Sequence, residues 1–222
     1  MPTAIDQEFA EIYASVESYY SEKVIAFGPT PHGADWDSII TQEVRFSQLL
    51  KICDFSAPFA LNDVGCGYGA LWSYLTKYHS ETDIDYLGFD VSPAMINHAD
   101  SLQRDLSRAG FRVAKAAPRI ADYAVASGIF NVRLDQPLER WERYVGRTLA
   151  DMHASSRRGF AVNFMTPDAV NENPEGLYCT TPAPWIRFCQ DQLRSSAQVL
   201  VGYGLREFTL LARPRASAGD QQ

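Results

Sequence analysis

The sequence predicts an α/β fold whose core is a doubly wound, mainly parallel sheet with helices on both faces. Segments of helical periodicity alternate with five β-like runs, which lie near residues 58 to 64, 84 to 89, 111 to 115, 121 to 127 and 159 to 165. This alternation is typical of parallel strands joined by helical crossovers. Two further β-runs, near 198 to 201 and 207 to 211, flank a short segment containing Gly204 and predict a closing antiparallel hairpin.

The N-terminal part of the chain predicts a helical cap on this sheet. Apolar residues recur at helical spacing from Phe9 to Val24, and again from Ile40 to Leu50 after an N-cap at Asp37-Ser38. A turn-rich loop from Phe27 to Trp36 separates the two helices. We therefore expect a helical cap or lid over residues 1–55, the ligand-binding domain over 56–213 and a flexible tail over 214–222.

A glycine-rich turn follows the first β-run. Asp63 is followed by Gly65, Gly67 and Gly69 at alternate positions, and a helical pattern begins at Leu71. Glycine adopts backbone angles closed to other residues and leaves no side chain between the main chain and a ligand. The spacing differs from the G-x-G-x-x-G pattern of nicotinamide-dependent oxidoreductases. The pattern predicts a turn around a nucleotide-like ligand, and a tight turn without a ligand is the alternative.

A second acidic residue ends the next β-run. Asp90 closes the run 84 to 89, and Ser92 and Pro93 then supply an N-cap and a first helical residue. The helix is expected to continue through Met95 and to end at Gly110. An acid at this position in dinucleotide folds reaches the ribose hydroxyls, and an ordinary turn carboxylate is the alternative.

These two motifs together resemble those of class I S-adenosylmethionine-dependent methyltransferases, which have a Rossmann-like sheet of seven strands. The resemblance implies that Asp63 helps to hold the methionine amino end and that Asp90 binds the ribose. It also implies that the glycines let the backbone approach the adenosyl group. The implied cofactor-binding residues at these motifs are Asp63, Gly65, Cys66, Gly67, Gly69, Asp90, Val91 and Met95.

The fourth β-run breaks at Ser127-Gly128, which places the break at the ligand-binding edge of a parallel sheet. The phrase Ala-Ser-Gly-Ile-Phe-Asn-Val from Ala126 resembles a bacterial subgroup of small methyltransferases that act on small molecules. By this resemblance Ser127 and Gly128 face the methionine portion. The residues expected to face the methyl acceptor are Phe130, Asn131, Arg133, Asn163 and Tyr178.

One part of the family pattern is missing. Many members carry an acidic residue after the third strand that accepts a hydrogen bond from the adenine amino group, but residues 113 to 119 offer none. We expect backbone groups near Ala117 and stacking on Met95 to hold the adenine instead.

The cap supplies further candidates. His32 lies in the turn-rich loop and is the candidate general base, with an exposed loop histidine as the alternative. Trp36 and Tyr20 are expected to shield the sulfonium through cation-π contacts, although tyrosines at helical spacing also occur in cores. Arg45 is expected to pair with the methionine carboxylate as a bidentate donor, with a solvated arginine as the alternative.

The composition of the chain limits the classes of partner that we expect. A net charge of −7 and the lack of a basic run argue against nucleic acid. The N-terminus lacks the features of a signal peptide, and no apolar run is long enough to span a membrane, so we expect a cytoplasmic protein without membrane contact. The four cysteines form no C-x-x-C pair and have no His cluster beside them, so no metal is expected.

We therefore expect an enzyme that transfers a methyl group from S-adenosylmethionine to a small-molecule acceptor by direct displacement, with S-adenosylhomocysteine as product. O-, N- and C-methylation all stay open. A non-catalytic scaffold that binds the same cofactor is one alternative, and a nicotinamide-dependent oxidoreductase is another. Monomer and homodimer also stay open, and the homodimer is the assembly to test.

Overall fold

The computed structural model describes residues 8–102, 109–167 and 176–215 of the 222-residue chain. Their central feature is one seven-stranded sheet with the strand order β3-β2-β1-β4-β5-β7-β6, in which β7 alone runs antiparallel to its neighbours. The mainly parallel sheet with a closing hairpin is therefore confirmed. The strands are β1 Phe59–Val64, β2 Ile84–Asp90, β3 Ala109–Val113, β4 Ala121–Ala126, β5 Ser156–Met165, β6 Ser195–Leu200 and β7 Glu207–Pro214.

Six α-helices occur in the described part of the chain. Both N-caps expected from the sequence are present, since the Ser38 side chain accepts from the Thr41 amide over 3.2 Å and Ser92 Oγ accepts from the Met95 amide over 3.1 Å. None of the described helices combines the length and apolar character needed to cross a membrane. The helices are α1 Ala10–Phe27, α2 Ile39–Leu49, α3 Ala70–Tyr78, α4 Pro93–Leu102, α5 Leu138–Ala154 and α6 Pro182–Asp191, with short 3-10 turns at His32–Ala34 and Leu50–Ile52.

The expectation that Gly110 ends the helix after β2 is wrong. Gly110 lies inside β3 and pairs with Leu87 of β2, and an added Cβ would meet Leu87 Cδ1 at 3.3 Å. The glycine thus allows close side-chain packing between two strands. The expected helical stretch through residues 103 to 108 and the expected tail from 216 onward lie outside the described residues.

Two apolar cores lie on the two faces of the sheet. On one face, Ile12 of α1 and Trp141 of α5 pack with Phe164 of β5, and all three side chains are fully buried. On the other face, Leu49 of α2 packs with residues of α3 and β1. Since β1 lies between β2 and β4, the strand order reverses beside it, and ligands bind at such a point outside the carboxyl ends of the strands.

Candidate functional site

The glycine turn after β1 has the unusual backbone that its sequence predicts. Gly65, Gly67 and Gly69 have φ angles of 68°, 54° and 87°, in the left-handed region that disfavours other residues. An added Cβ at Gly65 would lie 2.3 Å from Ile129 Cγ2, and one at Gly69 would lie 3.2 Å from Phe111 Cζ. At Gly67 the nearest atom would be 3.9 Å away. Gly67 therefore has room for a Cβ in ordinary van der Waals contact with Met95, whereas the other two glycines allow close packing within the protein.

Asp90 joins the end of β2 to this turn. Its Oδ2 accepts from the Gly67 amide over 3.0 Å, and its Oδ1 accepts from the Ser92 amide over 2.8 Å. Burial raises the pKa of this carboxyl above its ordinary value, although hydrogen bonds from the Ser92, Gly67 and Val91 amides oppose the shift. Both carboxylate oxygens keep lone pairs that can accept from hydroxyl groups of a ligand.

Asp63, near the end of β1, is 2% exposed. Its Oδ2 accepts from the Tyr86 hydroxyl over 2.6 Å. Burial raises the pKa of Asp63 to about 7, the negative charge of Asp90 acts in the same direction, and the Tyr86 hydrogen bond opposes it. A positively charged group bound beside Asp63 would stabilise its ionised form and lower this pKa. The environment of Asp63 therefore favours an ammonium ligand.

A cavity lies over the carboxyl ends of these strands. Its empty space, which includes open solvent at the mouth, is about 940 Å³. The fold brings most of the sequence-predicted cofactor residues to its wall. They are Tyr20, Trp36, Asp63, Gly65, Cys66, Gly67, Asp90, Val91, Met95, Ser127 and Gly128.

Helix α1 forms the roof of this cavity. Tyr13, Val16 and Tyr20 recur at helical spacing and line the cavity from above, whereas Ile12 and Val24 near the two ends are fully buried in the protein. The Ser21 hydroxyl also lies 2.8 Å from the Ser92 hydroxyl, which connects α1 to the N-terminus of α4. The roof is thus fixed at both ends, and its middle turns face a space that a ligand can fill.

Trp36 contacts the turn after β4. An added Cβ at Gly128 would lie 2.2 Å from Trp36 Cη2, and the Arg45 guanidinium lies 4.0 Å from the centroid of the indole. Arg45 Nε donates to Glu207 over 2.9 Å, Asn163 Nδ2 donates to Glu207 over 2.7 Å, and the Gly128 amide donates to Asn163 Oδ1 over 2.8 Å. We call Arg45, Glu207, Asn163 and Gly128 the Glu207 network. It holds the indole and the β4 turn in one buried unit.

Several predicted cofactor residues do not line the cavity. Arg45 pairs with Glu207 and donates to the Thr41 carbonyl over 2.9 Å, so its guanidinium is already bonded. Gly69 is the N-cap of α3 and packs on Phe111. Ala117 lies outside the cavity wall, and in the loop after β3 the residues that do line it are Ala114 and Lys115.

None of the five residues expected to face the acceptor lines the cavity; Arg133 is half-buried and the other four are buried. Phe130 is fully buried and its ring centroid lies 5.4 Å from that of Phe164. Asn163 belongs to the Glu207 network. The Tyr178 hydroxyl donates to Glu142 over 3.3 Å, and burial raises the Tyr178 pKa to about 12. The remaining two, Asn131 and Arg133, bond through their backbone amides to the carbonyls of Gly128 and Gly176 respectively.

His32, the candidate base, is exposed in a 3-10 turn, and its side chain does not line the cavity. Its neighbours Ala34 and Trp36 do line it. In the described ranges, no histidine is part of the cavity wall, and no group of three or more His, Cys, Asp or Glu side chains is placed to hold a metal.

The cavity wall also contains residues that the sequence interpretation missed. Gln42 of α2 accepts from the Tyr68 hydroxyl over 3.0 Å, which leaves its Nε2 group as a donor. Lys115 follows β3 and places its Nζ 5.2 Å from the centroid of the Tyr13 ring. A glutamine and a lysine have no distinctive pattern, so the one available signal was the position of Lys115 just after a strand. The missed residues with polar side chains are Gln42, Tyr68, Lys115, Tyr144 and Thr148.

Known proteins resemble this chain in sequence and in fold. Over 165 residues it is 40% identical to a Mycobacterium tuberculosis protein named "Putative methyltransferase Rv1506c", which covers 74% of this chain and 98% of that protein. No family model matches the chain.

Two solved structures share the fold at low sequence identity. Human N-acetylserotonin methyltransferase in complex with S-adenosylmethionine superposes with a TM-score of 0.55 at 18% identity, covering 77% of this chain and 52% of that one. This chain therefore spans about half the length of the human enzyme. Magnesium protoporphyrin IX methyltransferase from Synechocystis PCC 6803 with bound S-adenosylmethionine gives a TM-score of 0.52 at 13% identity, covering 96% and 85%.

Proposed function

This chain belongs to the class I S-adenosylmethionine-dependent methyltransferases, and we propose that it binds S-adenosylmethionine in the cavity and methylates a small molecule there. One observation carries the proposal. Asp63 and Asp90 lie at the carboxyl ends of two neighbouring strands, the Gly67 amide donates to Asp90, and an added Cβ at Gly67 would have room beside Met95. Such a site presents one carboxylate to an ammonium group and one to sugar hydroxyls, which are both parts of the methyl donor.

Gln42 is our candidate for the methionine carboxylate, in place of Arg45. Because Gln42 Oε1 accepts from the Tyr68 hydroxyl, its amide nitrogen is oriented as a donor, and Gln42 lines the same cavity as Asp63. Arg45 instead forms an ion pair with Glu207. An arginine that left Glu207 would leave a buried carboxylate unpaired, which is energetically costly.

For methyl transfer, the protein mainly has to align the acceptor with the methyl group and exclude water. The sulfonium makes the methyl group electrophilic, so an acceptor lone pair placed behind it suffices for direct displacement. Trp36, which packs against Gly128, covers this part of the cavity with aromatic surface. Since no described histidine lines the cavity, we propose an acceptor atom that reacts without an imidazole base, such as one already ionised at neutral pH.

The site favours a small acceptor. Helix α1 covers the cavity, and the cavity wall carries the aromatic side chains of Tyr13, Tyr20, Trp36 and Tyr144. Burial raises the pKa of both Tyr20 and Tyr144, so these hydroxyls stay neutral and serve as hydrogen-bonding groups. We propose a metabolite with an apolar or aromatic body.

The test is a screen of metabolites with S-adenosylmethionine whose methyl group carries an isotopic label. We expect a labelled product by mass spectrometry with the wild-type protein and none with Gly67→Val. Labelled product from the variant at the wild-type rate would contradict the assignment of the site. Binding of S-adenosylhomocysteine without turnover across a broad panel would favour a scaffold, and tighter binding of NADH would favour an oxidoreductase.

A further inference from the structure

We propose that Lys115 contacts the edge of the donor's purine base and makes this protein tolerant of a 6-oxo group in place of the adenine amino group. The inference rests on the proposed function, because it assumes that the donor's nucleoside occupies the cavity. Lys115 lies at the end of the cavity beyond β3. Many methyltransferases carry an acidic residue there that accepts a hydrogen bond from the adenine amino group, and this sequence lacks it.

The backbone places Lys115 at this end. β3 ends at Val113, and the Ala114 amide donates to the Asp90 carbonyl over 2.9 Å, which fixes the start of the following loop against the end of β2. Ala114 and Lys115 both line the cavity. The loop is thus bonded to the residue that we assign to the ribose.

Lys115 and Asp63 lie at different ends of the cavity, and the spacing of the strands gives the distance between them. The strand order is β3-β2-β1, so the loop after β3 lies two strands from the end of β1, a separation of about 10 Å at roughly 4.8 Å per strand. Among the described residues, the charged side chains in the cavity wall are Asp63, Asp90 and Lys115. Negative charge therefore lies at the ends of β1 and β2 and positive charge beyond β3, matching a ligand with an ammonium at one end and hydrogen-bond acceptors at the other.

The ammonium of Lys115 is available to a ligand. Its Nζ lies 5.2 Å from the centroid of Tyr13, a residue of the cavity roof. Within the described ranges no carboxylate pairs with it. A cation-π contact with a tyrosine leaves the N-H groups of a lysine free to donate elsewhere.

The hydrogen-bonding groups on the edge of the purine base explain why a lysine tolerates a 6-oxo group. An ammonium can only donate hydrogen bonds, whereas the adenine edge offers ring nitrogens as acceptors beside an amino group that donates. A carboxylate at this position would accept from the amino group and repel a 6-oxo oxygen. A lysine donates to a ring nitrogen or to a 6-oxo oxygen, so replacing the amino group by oxygen leaves its hydrogen bond possible.

Calorimetric titration with two nucleosides tests this inference. The probes are S-adenosylhomocysteine and S-inosylhomocysteine, in which a 6-oxo group replaces the amino group. We expect the wild-type protein to bind the two within about threefold of each other, and Lys115→Met to weaken both by about 3- to 10-fold, a range set by one exposed charged hydrogen bond. Lys115→Arg should retain most of the affinity, because it keeps the charge and the donors.

Lys115→Glu is the decisive variant. It should weaken S-inosylhomocysteine at least about tenfold more than S-adenosylhomocysteine, because the 6-amino group donates to the new carboxylate whereas the 6-oxo oxygen is repelled by it. The matched control is Lys51→Met, since Lys51 is exposed and donates to Gln48 away from the cavity. Far-ultraviolet circular dichroism and thermal unfolding verify that each variant folds.

Two failures are distinguishable. If Lys115→Met and Lys115→Glu bind both probes as the wild type does, the inference is wrong and the proposed function stands. A wild-type preference of a hundredfold or more for the adenosyl probe would also overturn the inference. If the wild-type protein binds neither probe, the proposed function itself is wrong.

Discussion

The Gly67 amide donates to Asp90 Oδ2 over 3.0 Å, which connects the glycine turn after β1 to the end of β2. This bond brings together the two sequence motifs that point to a methyl donor. It also fixes a peptide at the cavity wall, where the nearest atom to an added Cβ would be Met95 Sδ at 3.9 Å. The turn and the carboxylate therefore form one preorganised surface for a ligand.

Substitution of Gly67 should remove ligand binding by more than its effect on folding. Gly67→Val places a branched side chain in the cavity at a φ of 54°, and we expect the affinity for S-adenosylhomocysteine to fall at least about 100-fold, with roughly 1–2 kcal/mol lost from the free energy of unfolding. Calorimetry and denaturant unfolding measure the two effects.

Gly202→Val is the matched control for this substitution. Gly202 has a φ of 76° and nothing within 4 Å of an added Cβ, and it lies outside the cavity wall. The Gly202→Val variant should lose a similar free energy of unfolding and bind S-adenosylhomocysteine with wild-type affinity. Equal loss of binding in both variants would mean that backbone strain, and not occupation of the cavity, explains the effect.

Asp63 should make donor binding depend on pH near neutrality. The pKa of Asp63 is raised to about 7 by burial, and a bound ammonium lowers it, so binding releases a proton below pH 7. We expect the affinity for S-adenosylhomocysteine to fall by up to about tenfold for each pH unit below 7. Calorimetry in buffers of different ionisation enthalpy measures the proton release, and Asp63→Asn should abolish it. A flat affinity between pH 6 and 8 would contradict the role of Asp63.

The same carboxyl should destabilise the ligand-free protein at higher pH. Because its pKa in the folded protein, about 7, lies above that of an unfolded aspartate, the folded state binds more protons between about pH 4 and 7. The contribution of Asp63 to the free energy of unfolding is thus fully present below pH 4 and is lost as pH rises through 7. Asp63→Asn should raise the melting temperature at pH 8, and a lower melting temperature would count against this account.

The Glu207 network should contribute strongly to stability. Glu207 and Arg45 are 6% and 8% exposed, and removal of one charge from such a buried pair costs about 3–5 kcal/mol. We expect Glu207→Gln to lower the free energy of unfolding by that amount and to loosen Trp36. Urea unfolding measures the first effect and Trp fluorescence of a Trp72→Phe, Trp141→Phe, Trp185→Phe background the second.

A comparison with a surface pair sharpens this prediction. Glu43 pairs with Lys77 over 3.2 Å, and the Lys77 side chain is 59% exposed. Glu43→Gln should cost less than about 1 kcal/mol, as exposed pairs do. If Glu43→Gln and Glu207→Gln had equal effects, burial of the Glu207 network would not be the source of its contribution.

Helix α1 should become more protected when the ligand binds. Tyr13, Val16 and Tyr20 line the cavity, whereas Ile12 and Val24 are already buried in the protein. A bound donor supplies the missing apolar contacts, so we expect amide hydrogen exchange in α1 to slow by about 10-fold or more with saturating S-adenosylhomocysteine. Unchanged exchange in α1, with slowed exchange in the glycine turn, would show that α1 does not contact the ligand.

The sequence predicts this fold well because strand and helix periodicities, glycines and N-caps are local signals. Ser38 and Ser92 cap their helices as expected, and the positive φ of Gly67 follows from its place between an acid-ended strand and a helix. The prediction for the end of the helix after β2 is wrong because a glycine can either end a helix or allow close packing within a sheet. At Gly110, packing against Leu87 decides for the sheet.

The cavity wall contributed by the cap could be predicted only in part. Trp36 and Tyr20 reach the cavity, but Arg45 turns to Glu207, which lies 162 residues further along the chain. Such a pairing depends on how α2 packs on β7 and leaves no local signal. The same holds for Phe130 and Tyr178, whose aromatic side chains pack in the core beside the site.

We propose that Asp90 and the glycine turn hold an adenosyl ligand, and calorimetric titration with S-adenosylhomocysteine measures this binding. The wild-type protein and Glu81→Ala, a change at an exposed residue outside the cavity wall, should bind it equally. Asp90→Ala should weaken binding at least about 100-fold, because two charge-assisted hydrogen bonds are lost. Wild-type affinity in a correctly folded Asp90→Ala protein would contradict the account.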